Sequence, residues 1–286
     1  MRIYIKAIAL AVLGMVSCTQ QKAEEESKAQ KEDAYQLVWA DEFDYNGLPD
    51  STKWIFEFGD GCPELCGWGN NEAQYYSKER LDNARVKDGA LIIEARKDDY
   101  KTREYSSAKI MSKGIGDWQY GKFLIKAKLP EGRGTWPAIW MLPTLDRPLD
   151  WPLDGEIDIM EHVGYDQGTV HGTIHTEAYN GMIGTQKSGQ VQIPDASEEF
   201  HEYGVEWTED KLVWTLDGEP YFELENPGKT AEEWPFNENP YHLILNLAVG
   251  GKWGGKEGID PEIWPQALEI DYVRVYQKKG VGLAPR

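Results

Sequence analysis

Three carboxylates lie close together in the run Gly155-Glu156-Ile157-Asp158-Ile159-Met160-Glu161-His162. Successive side chains of a β-strand point to opposite faces, so a regular strand would place Glu156 and Asp158 on one face and Glu161 on the other. A β-bulge near Ile159-Met160 would add one residue and return Glu161 to the face of the other two. Two such carboxylates suit retaining glycoside hydrolysis, in which one attacks the anomeric carbon and the other, about 5–5.5 Å away, protonates the leaving oxygen.

Each of the three acids has a candidate catalytic role. Glu156 is the predicted nucleophile, Glu161 the predicted acid and then base, and Asp158 a buffer that shares a hydrogen bond or proton with Glu156. The residues alone would allow the two glutamates to exchange roles. Two other interpretations stay open at this point. One is a solvated acidic face of an antiparallel strand. The other is a divalent-cation site, which fits calcium poorly because calcium collects roughly six to eight oxygens, usually from loops.

The composition favours a neutral polymer as the partner. The 286 residues carry a formal charge of −19, which repels nucleic acid, anionic lipid surfaces and sulfated polysaccharides. The chain also holds 12 Trp and 15 Tyr, whose flat apolar faces and polar edges suit sugar rings. We therefore expect the chain to bind a neutral polysaccharide and no nucleic acid. A monomer without an organic cofactor is a separate expectation.

Residues 1–18 are typical of an export signal, because Arg2 and Lys6 precede an apolar stretch, residues 7–16, that is too short to span a bilayer. Met15-Val16-Ser17-Cys18 resembles the bacterial lipobox, which predicts a lipidated Cys18 as the only membrane contact. An ordinary signal peptide with secretion is the alternative. Residues 19–34 lack the apolar content for a core and are expected to form a flexible tether, and residues 35–286 one catalytic domain.

The remaining sequence predicts an all-β fold, an antiparallel sandwich of two sheets. Residues 123–129 and 202–207 alternate between apolar and polar side chains. Asp88-Gly89 and Asp217-Gly218 are hairpin-turn dipeptides between apolar runs, which favours antiparallel neighbours. Further strands are expected over residues 90–96, 168–175, 211–216, 241–248 and 267–276.

The closely spaced Cys62 and Cys66 predict a disulfide that pins a small loop, because an exported protein meets an oxidising compartment. A metal site is the alternative interpretation. No second Cys or His pair lies nearby in the sequence to complete a zinc site, which makes the disulfide the better hypothesis.

Gly134-Thr135-Trp136-Pro137-Ala138-Ile139-Trp140-Met141-Leu142-Pro143, followed by residues 155–161, resembles the core signature of glycoside hydrolase family 16, in particular its laminarinase-type endo-β-1,3-glucanases. Residues 68–76 and 170–175 are also similar to laminarinase segments. The resemblance covers nearly all of the folded part. It implies a two-sheet jelly roll with a concave cleft, retaining cleavage of internal β-1,3-glucosidic bonds, and the three catalytic roles given above.

Alternatives to that function are a mixed-linkage β-1,3(4)-glucanase, a transglycosylase, a galactan hydrolase and a non-catalytic glucan-binding module. The bulged spacing is unlike family members restricted to mixed-linkage glucan. Intact Glu156 and Glu161 argue against a binding module. A sulfated galactan is disfavoured by the net negative charge.

The resemblance also implies a set of substrate contacts. Trp136 matches an aromatic that lies under a glucose ring, with Trp140 either beside it or in the core. His175 is similar to a cleft histidine that forms hydrogen bonds near the acid/base. Further sugar contacts are expected from polar side chains and from stacking rings, namely Asn71, Glu72, Arg133, Asn246, Trp118 and Trp253.

Members of this family often carry a structural calcium ion on the convex face. Its ligands are an N-terminal residue, a hairpin glycine carbonyl and an acid on the last strand, and Glu42, Gly89 and Asp271 match these positions. Oxygen donors of this kind suit calcium. Asp271 could equally be an ordinary strand acid.

Overall fold

The computed structural model describes residues 34–228 and 230–280. The predicted signal segment, Cys18 and the tether up to residue 33 lie outside the described residues. Within the described ranges no helix is long and apolar enough to cross a bilayer.

The described chain is built almost entirely of strands, with two short 3₁₀ turns at Cys66–Gly69 and Pro235–Asn237. The strands are, in chain order, β1 (Tyr35–Asp41), β2 (Ile55–Glu57), β3 (Gln74–Tyr76), β4 (Ala84–Lys87), β5 (Ala90–Lys97), β6 (Tyr105–Ser107), β7 (Lys109–Met111), β8 (Asp117–Trp118), β9 (Gly121–Lys128), β10 (Thr135–Pro143), β11 (Glu156–His162), β12 (Thr169–His175), β13 (Lys187–Gln192), β14 (His201–Trp207), β15 (Lys211–Leu216), β16 (Glu219–Glu225), β17 (Tyr241–Val249) and β18 (Gln266–Lys278).

These strands form two sheets. The carboxylate sheet, named for the acids of β11, has the order β13-β12-β11-β10-β17-β7-β2, with β8 beside β17. The support sheet has the order β16-β15-β14-β9-β18-β5-β6-β3, with β1 on β18 and β4 on β5. Neighbouring strands are antiparallel except for β3 and β6. The two-sheet jelly roll expected from the sequence is confirmed.

The core lies between the sheets and follows the alternation of the strands. On β9, Phe123, Ile125 and Ala127 are fully buried, while Leu124 and Lys126 between them are only partly buried. Burial of alternate apolar side chains is the main stabilising contribution to such a sandwich. The strands predicted around residues 90–96, 168–175, 211–216, 241–248 and 267–276 are present as β5, β12, β15, β17 and β18.

Both predicted hairpins are present. Asp88 and Gly89 join β4 to β5 with φ of 53° and 84°, and Asp217 and Gly218 join β15 to β16 with φ of 50° and 82°. Positive φ at both central residues is the geometry of a type I′ turn, whose twist matches that of the flanking strands. The local dipeptides therefore determine these two strand connections.

The predicted disulfide is present between Cys62 and Cys66. It closes the short loop before the first 3₁₀ turn, where Arg103 and Thr102 both contact Asp60. The metal interpretation of this cysteine pair is therefore not needed.

Candidate active site

Strand β11 carries all three carboxylates on the outer face of its sheet because it contains a bulge. Asp158 lies opposite Thr173 of β12, and the next pair is Glu161 opposite His171, so three steps along β11 match two steps along β12. The predicted bulge and the shared face of the acids are confirmed. The apolar side chains of the strand point into the core with at most 1% of their surface exposed, and these are Ile157, Ile159 and Met160.

Glu156 lies at one end of the carboxylate row and has two aromatic neighbours. Trp151 Nε1 donates a hydrogen bond of 2.7 Å to Glu156 Oε2. His175 lies opposite Glu156, and its Nδ1 accepts the main-chain N–H of Gly181. Its Nε2 therefore carries the proton, and it faces Glu156 Oε1 at 4.0 Å and Asp158 Oδ2 at 3.5 Å. We expected His175 near the acid/base, and the antiparallel register places it opposite Glu156, at the far end of the row from Glu161.

Glu161 lies at the other end of the row and is held by Trp136, whose Nε1 donates a hydrogen bond of 3.1 Å to Glu161 Oε1. Burial first, and then the negative charge of Glu156, raise the pKa of Glu161 to about 8, against the opposing effect of the Trp136 bond. A carboxyl with this pKa holds its proton at neutral pH, as a general acid must.

Asp158, between the two glutamates, is 2% exposed. Its pKa lies well above the usual range, first because of burial and then because of the charges on Glu156 and Glu161. Within the described residues its Oδ2 has no hydrogen bond. A protonated Asp158 can donate to Glu156, which agrees with the predicted buffer role and limits the negative charge in the row.

Trp253 extends the Glu161 end of the site. Its ring lies 5.6 Å from that of Trp136 and 5.1 Å from that of His171, edge-on to both. His171 in turn lies opposite Glu161, and burial lowers its pKa. The structure thus brings Trp136 and Trp253 together beside the candidate acid, where sequence analysis placed substrate contacts.

Trp140 is held by a buried polar chain on the same outer face. Its Nε1 donates to Asn246 Oδ1 at 2.7 Å, Asn246 Nδ2 donates to the Tyr76 hydroxyl at 3.1 Å, and Tyr76 donates to Glu72 Oε2 at 3.4 Å. Glu72 also accepts a hydrogen bond of 2.6 Å from Gln74 Nε2, and burial raises the pKa of Glu72. Asn246 and Glu72 were expected to bind sugar hydroxyls, whereas the structure uses them to fix Trp140.

Trp118 was expected to stack on a sugar ring, and this prediction was wrong. Its side chain has no exposed surface and packs edge-on against Trp39 and Phe123 in the core. The short strand β8 turns the ring inward. A residue without accessible surface cannot offer a stacking platform.

Asn71 and Arg133 lie on exposed loops. Asn71 has a φ of 57° and precedes the buried Glu72. Arg133 donates to the Glu257 carbonyl at 3.2 Å and lies 3.6 Å from Asp260, so it contacts the 250–265 loop instead of the carboxylate row. The contacts of Arg133 therefore keep its side chain on that loop.

Sequence analysis missed two residues of the site, Trp151 and His171. The strand period gives a signal for His171, because it shares the alternation of Thr173 and His175 on β12. Trp151 lies in a loop, where no periodicity predicts which carboxylate a side chain reaches. Only the structure reveals its bond to Glu156.

The cation alternative can also be placed in the structure. Ligand atoms of Glu156, Asp158 and His175 lie within 4.8 Å of one another and could hold a metal ion. Three donors are fewer than calcium requires. The raised pKa of Asp158 favours its neutral form, which is a poor metal ligand.

The predicted calcium ligands lie in one region of the support sheet. Glu42 follows β1, Gly89 precedes β5, and both strands pair with β18 on either side of Asp271. However, Arg274 donates two hydrogen bonds of 2.8 Å to Glu42, and Lys126 lies 2.9 Å from Asp271. The donor types suit calcium, but an ion would have to displace both basic side chains.

The fold agrees with comparisons to known proteins. The model of glycosyl hydrolases family 16 matches residues 71–274. The chain is 49% identical over 280 residues to a beta-glucanase of Rhodothermus marinus, covering 95% of this chain and 93% of that protein. It is similar to the laminarinase structure from the same organism (TM-score 0.81, 50% identity, 85% of this chain and 98% of that chain). SCLam, described as a non-specific endo-beta-1,3(4)-glucanase, is similar at TM-score 0.79 and 47% identity, covering 85% and 91%. The carboxylate row thus stands on a scaffold shared with known glucanases, and the chain belongs to glycosyl hydrolase family 16.

Proposed function

We propose that this protein is an endo-acting, retaining glycoside hydrolase that cleaves internal β-1,3-glucosidic bonds of laminarin-type glucans. The observation that carries the proposal is the carboxylate row of β11. It combines a Glu161 that is protonated at neutral pH with a Glu156 positioned by Trp151 on the same face. The names of the similar Rhodothermus marinus proteins support a glucan as the substrate.

The chemistry follows from the two ends of the row. A Glu156 oxygen attacks the anomeric carbon while the bond to the leaving oxygen breaks and Glu161 delivers its proton to that oxygen. Glu161, now ionised, takes a proton from water as the water oxygen attacks the same carbon and releases Glu156. Asp158 limits repulsion as the charges in the row change.

Aromatic residues on both sides of the row support internal cleavage. Trp151 lies at the Glu156 end, and Trp136 with Trp253 lies at the Glu161 end. A polymer can therefore find ring surfaces on either side of the cut, and stacking on such surfaces is typical of sugar binding. We propose Trp136, Trp140 and Trp253 as the main stacking residues, with Trp151 as the ring surface at the Glu156 end.

Incubation with laminarin, barley β-glucan, agarose and carrageenan tests the proposal, with product sizes followed over time. Laminarin should give oligosaccharides of several lengths from the earliest time points, with the β-configuration retained in the first product by NMR. Release of only glucose, inversion, or no products from laminarin would each contradict the proposal. Binding of laminarin without any hydrolysis would point to a binding module.

Mixed-linkage activity is the second candidate, because the similar SCLam is described as acting on β-1,3(4)-glucan. Comparable rates on laminarin and barley β-glucan would favour it over strict β-1,3 specificity. The net negative charge disfavours sulfated galactans, so carrageenan should remain intact.

We also propose that the mature protein is a monomeric lipoprotein of the cell envelope, anchored through Cys18. The motif Met15-Val16-Ser17-Cys18 supports this proposal. Expression in a bacterium followed by detergent-phase partitioning should place the protein in the detergent phase, and Cys18→Ala should move it to the aqueous phase. Size-exclusion chromatography of residues 35–286 tests whether the protein is a monomer.

A structural calcium ion near Glu42, Gly89 and Asp271 is a further proposal, supported by the register that brings these residues to β18. Calcium should raise the Tm of the unchanged protein above its value in EDTA, and Asp271→Asn should abolish this difference. Equal Tm values with and without calcium would contradict it. The ion would not take part in the reaction.

A further inference from the structure

A buried tryptophan of the support sheet reaches across the core to the bulge of β11. Trp214 lies on β15 and has no exposed surface. Its Nε1 donates a hydrogen bond of 2.8 Å to the main-chain oxygen of Asp158. Asp158 is the last residue of β11 before the register with β12 changes. The bond therefore ends where the strand departs from regular alternation.

The carboxylate sheet leaves room for this ring. A Cβ on Gly172 of β12 would overlap the Trp214 ring, and a Cβ on Gly189 of β13 would overlap the ring of Phe222. Gly172 and Gly189 are paired across the two strands, and the two rings contact each other with centroids 4.9 Å apart. The paired glycines thus seat two neighbouring rings of the support sheet, and Trp214 has little room to move.

A bulge disrupts the ladder of main-chain hydrogen bonds, so groups beside it depend on other partners. A polar group in a dry core is costly to leave without a hydrogen bond, and the indole N–H provides one to Asp158. Glu161 reaches the outer face only through this bulge. The position of the Asp158 main chain therefore determines the relative position of the carboxyl groups of Asp158 and Glu161.

We propose that Trp214 is a positioning residue for the reaction: its indole N–H fixes the bulged segment of β11 and, through it, the geometry of Asp158 and Glu161. Trp214 does not touch the substrate. This inference rests on the proposed glucanase function and adds to it a residue on the opposite sheet.

Trp207 provides a matched control. It lies on β14, next to β15, and is as fully buried as Trp214. Within the described ranges, however, its Nε1 has no hydrogen-bond partner. Replacing Trp207 with Phe removes a similar part of a buried ring and breaks no bond, whereas the same change at Trp214 also removes the contact with Asp158.

The experiment measures kcat, KM and the pH profile of kcat/KM on laminarin for the unchanged protein, Trp214→Phe and Trp207→Phe, at a temperature where all are folded. Both variants should have a lower Tm. Only Trp214→Phe should lower kcat, by about tenfold or more, because small displacements of catalytic groups cost up to about 100-fold. Trp214→Phe should also shift the alkaline limb of the pH profile of kcat/KM, which Glu161 sets. Its KM should stay within about twofold of that of the unchanged protein. Equal kcat and equal pH profiles for the two variants would overturn the role.

A second replacement decides the question if Trp214→Phe does not fold. β-(Benzothiophen-3-yl)alanine at position 214 keeps the bicyclic shape that packs against Gly172 and replaces the N–H with sulfur. A similar fall in kcat and shift of the pH profile supports the proposal, and unchanged kinetics overturn it. If the unchanged protein cleaves no glucan, the proposed function fails instead, so the two failures are distinguishable.

Discussion

The two ends of the carboxylate row carry the same functional group in different surroundings. Glu156 accepts an N–H from Trp151 and faces the proton-bearing Nε2 of His175. Glu161 also accepts an indole N–H, from Trp136, but burial outweighs this bond and raises the pKa of Glu161 to about 8. One strand therefore supplies two chemically identical carboxyls, and the loops and neighbouring strands give them different roles.

The largest effect should come from the Glu156 end. Glu156→Ser removes the attacking oxygen of the covalent step, so kcat on laminarin should fall by at least about 10⁴-fold. Laminarin binding, measured by calorimetry, and Tm should stay close to those of the unchanged protein. Normal turnover would reject Glu156 as the nucleophile and remove the distinction between the two ends.

Glu161→Ala should lower kcat on laminarin by about 10²- to 10⁴-fold, the usual contribution of general acid–base catalysis. Its first step should recover on an aryl β-glucoside whose leaving group departs without a proton. A burst of released phenol measures that step. An equal loss on both substrates would show that Glu161 does more than transfer a proton.

Trp151→Phe should lower kcat by about tenfold, because a hydrogen bond to a charged group typically contributes about 1.5–3 kcal/mol, partly replaced here by water. Trp264→Phe is the control, since that indole donates to the Asp260 carbonyl, outside the carboxylate row. Kinetics on laminarin for both variants measure the difference. If they lose activity equally, Trp151 has no particular role at the Glu156 end.

The smallest effect concerns stability. The pKa of Glu161 rises from 4.5 to about 8 on folding, so the folded protein holds its proton at higher pH than the unfolded chain does. Stability is therefore lost as pH rises through that interval. Glu161→Gln cannot ionise and should raise Tm by a few degrees at about pH 9 and much less at about pH 5. Thermal melts at both pH values give the comparison, and an equal shift at both would contradict the raised pKa.

Sequence alone predicted the row itself, because the spacing of Glu156, Asp158 and Glu161 fits one face of a strand only if the strand is bulged. The hairpin dipeptides and alternating runs predicted the sheets for the same reason: they depend on neighbours in sequence. The resemblance to a known family added the type of glycosidic bond that is cleaved and the candidate substrate-binding residues around the row.

The errors concern contacts between distant segments. Strand alternation does not reveal that Trp118 faces the core, since β8 has only two residues, Asp117 and Trp118. Nor does it reveal that Glu72 is used to hold Trp140 through Tyr76 and Asn246. The placement of His175 depended on the register between two strands, and a shift of a few residues in register moves a side chain from one end of the row to the other.

The bulge of β11 also has a consequence for how this gene could change. Loss of the single codon for Met160 would leave Glu-Ile-Asp-Ile-Glu, in which simple alternation places every acid on the outer face and every isoleucine in the core. All three acids would remain, while the register shift between Asp158 and Glu161 would disappear and the two acids would lie one residue closer in sequence. A one-codon event would thus change the spacing of the candidate catalytic carboxylates and leave them on the same face.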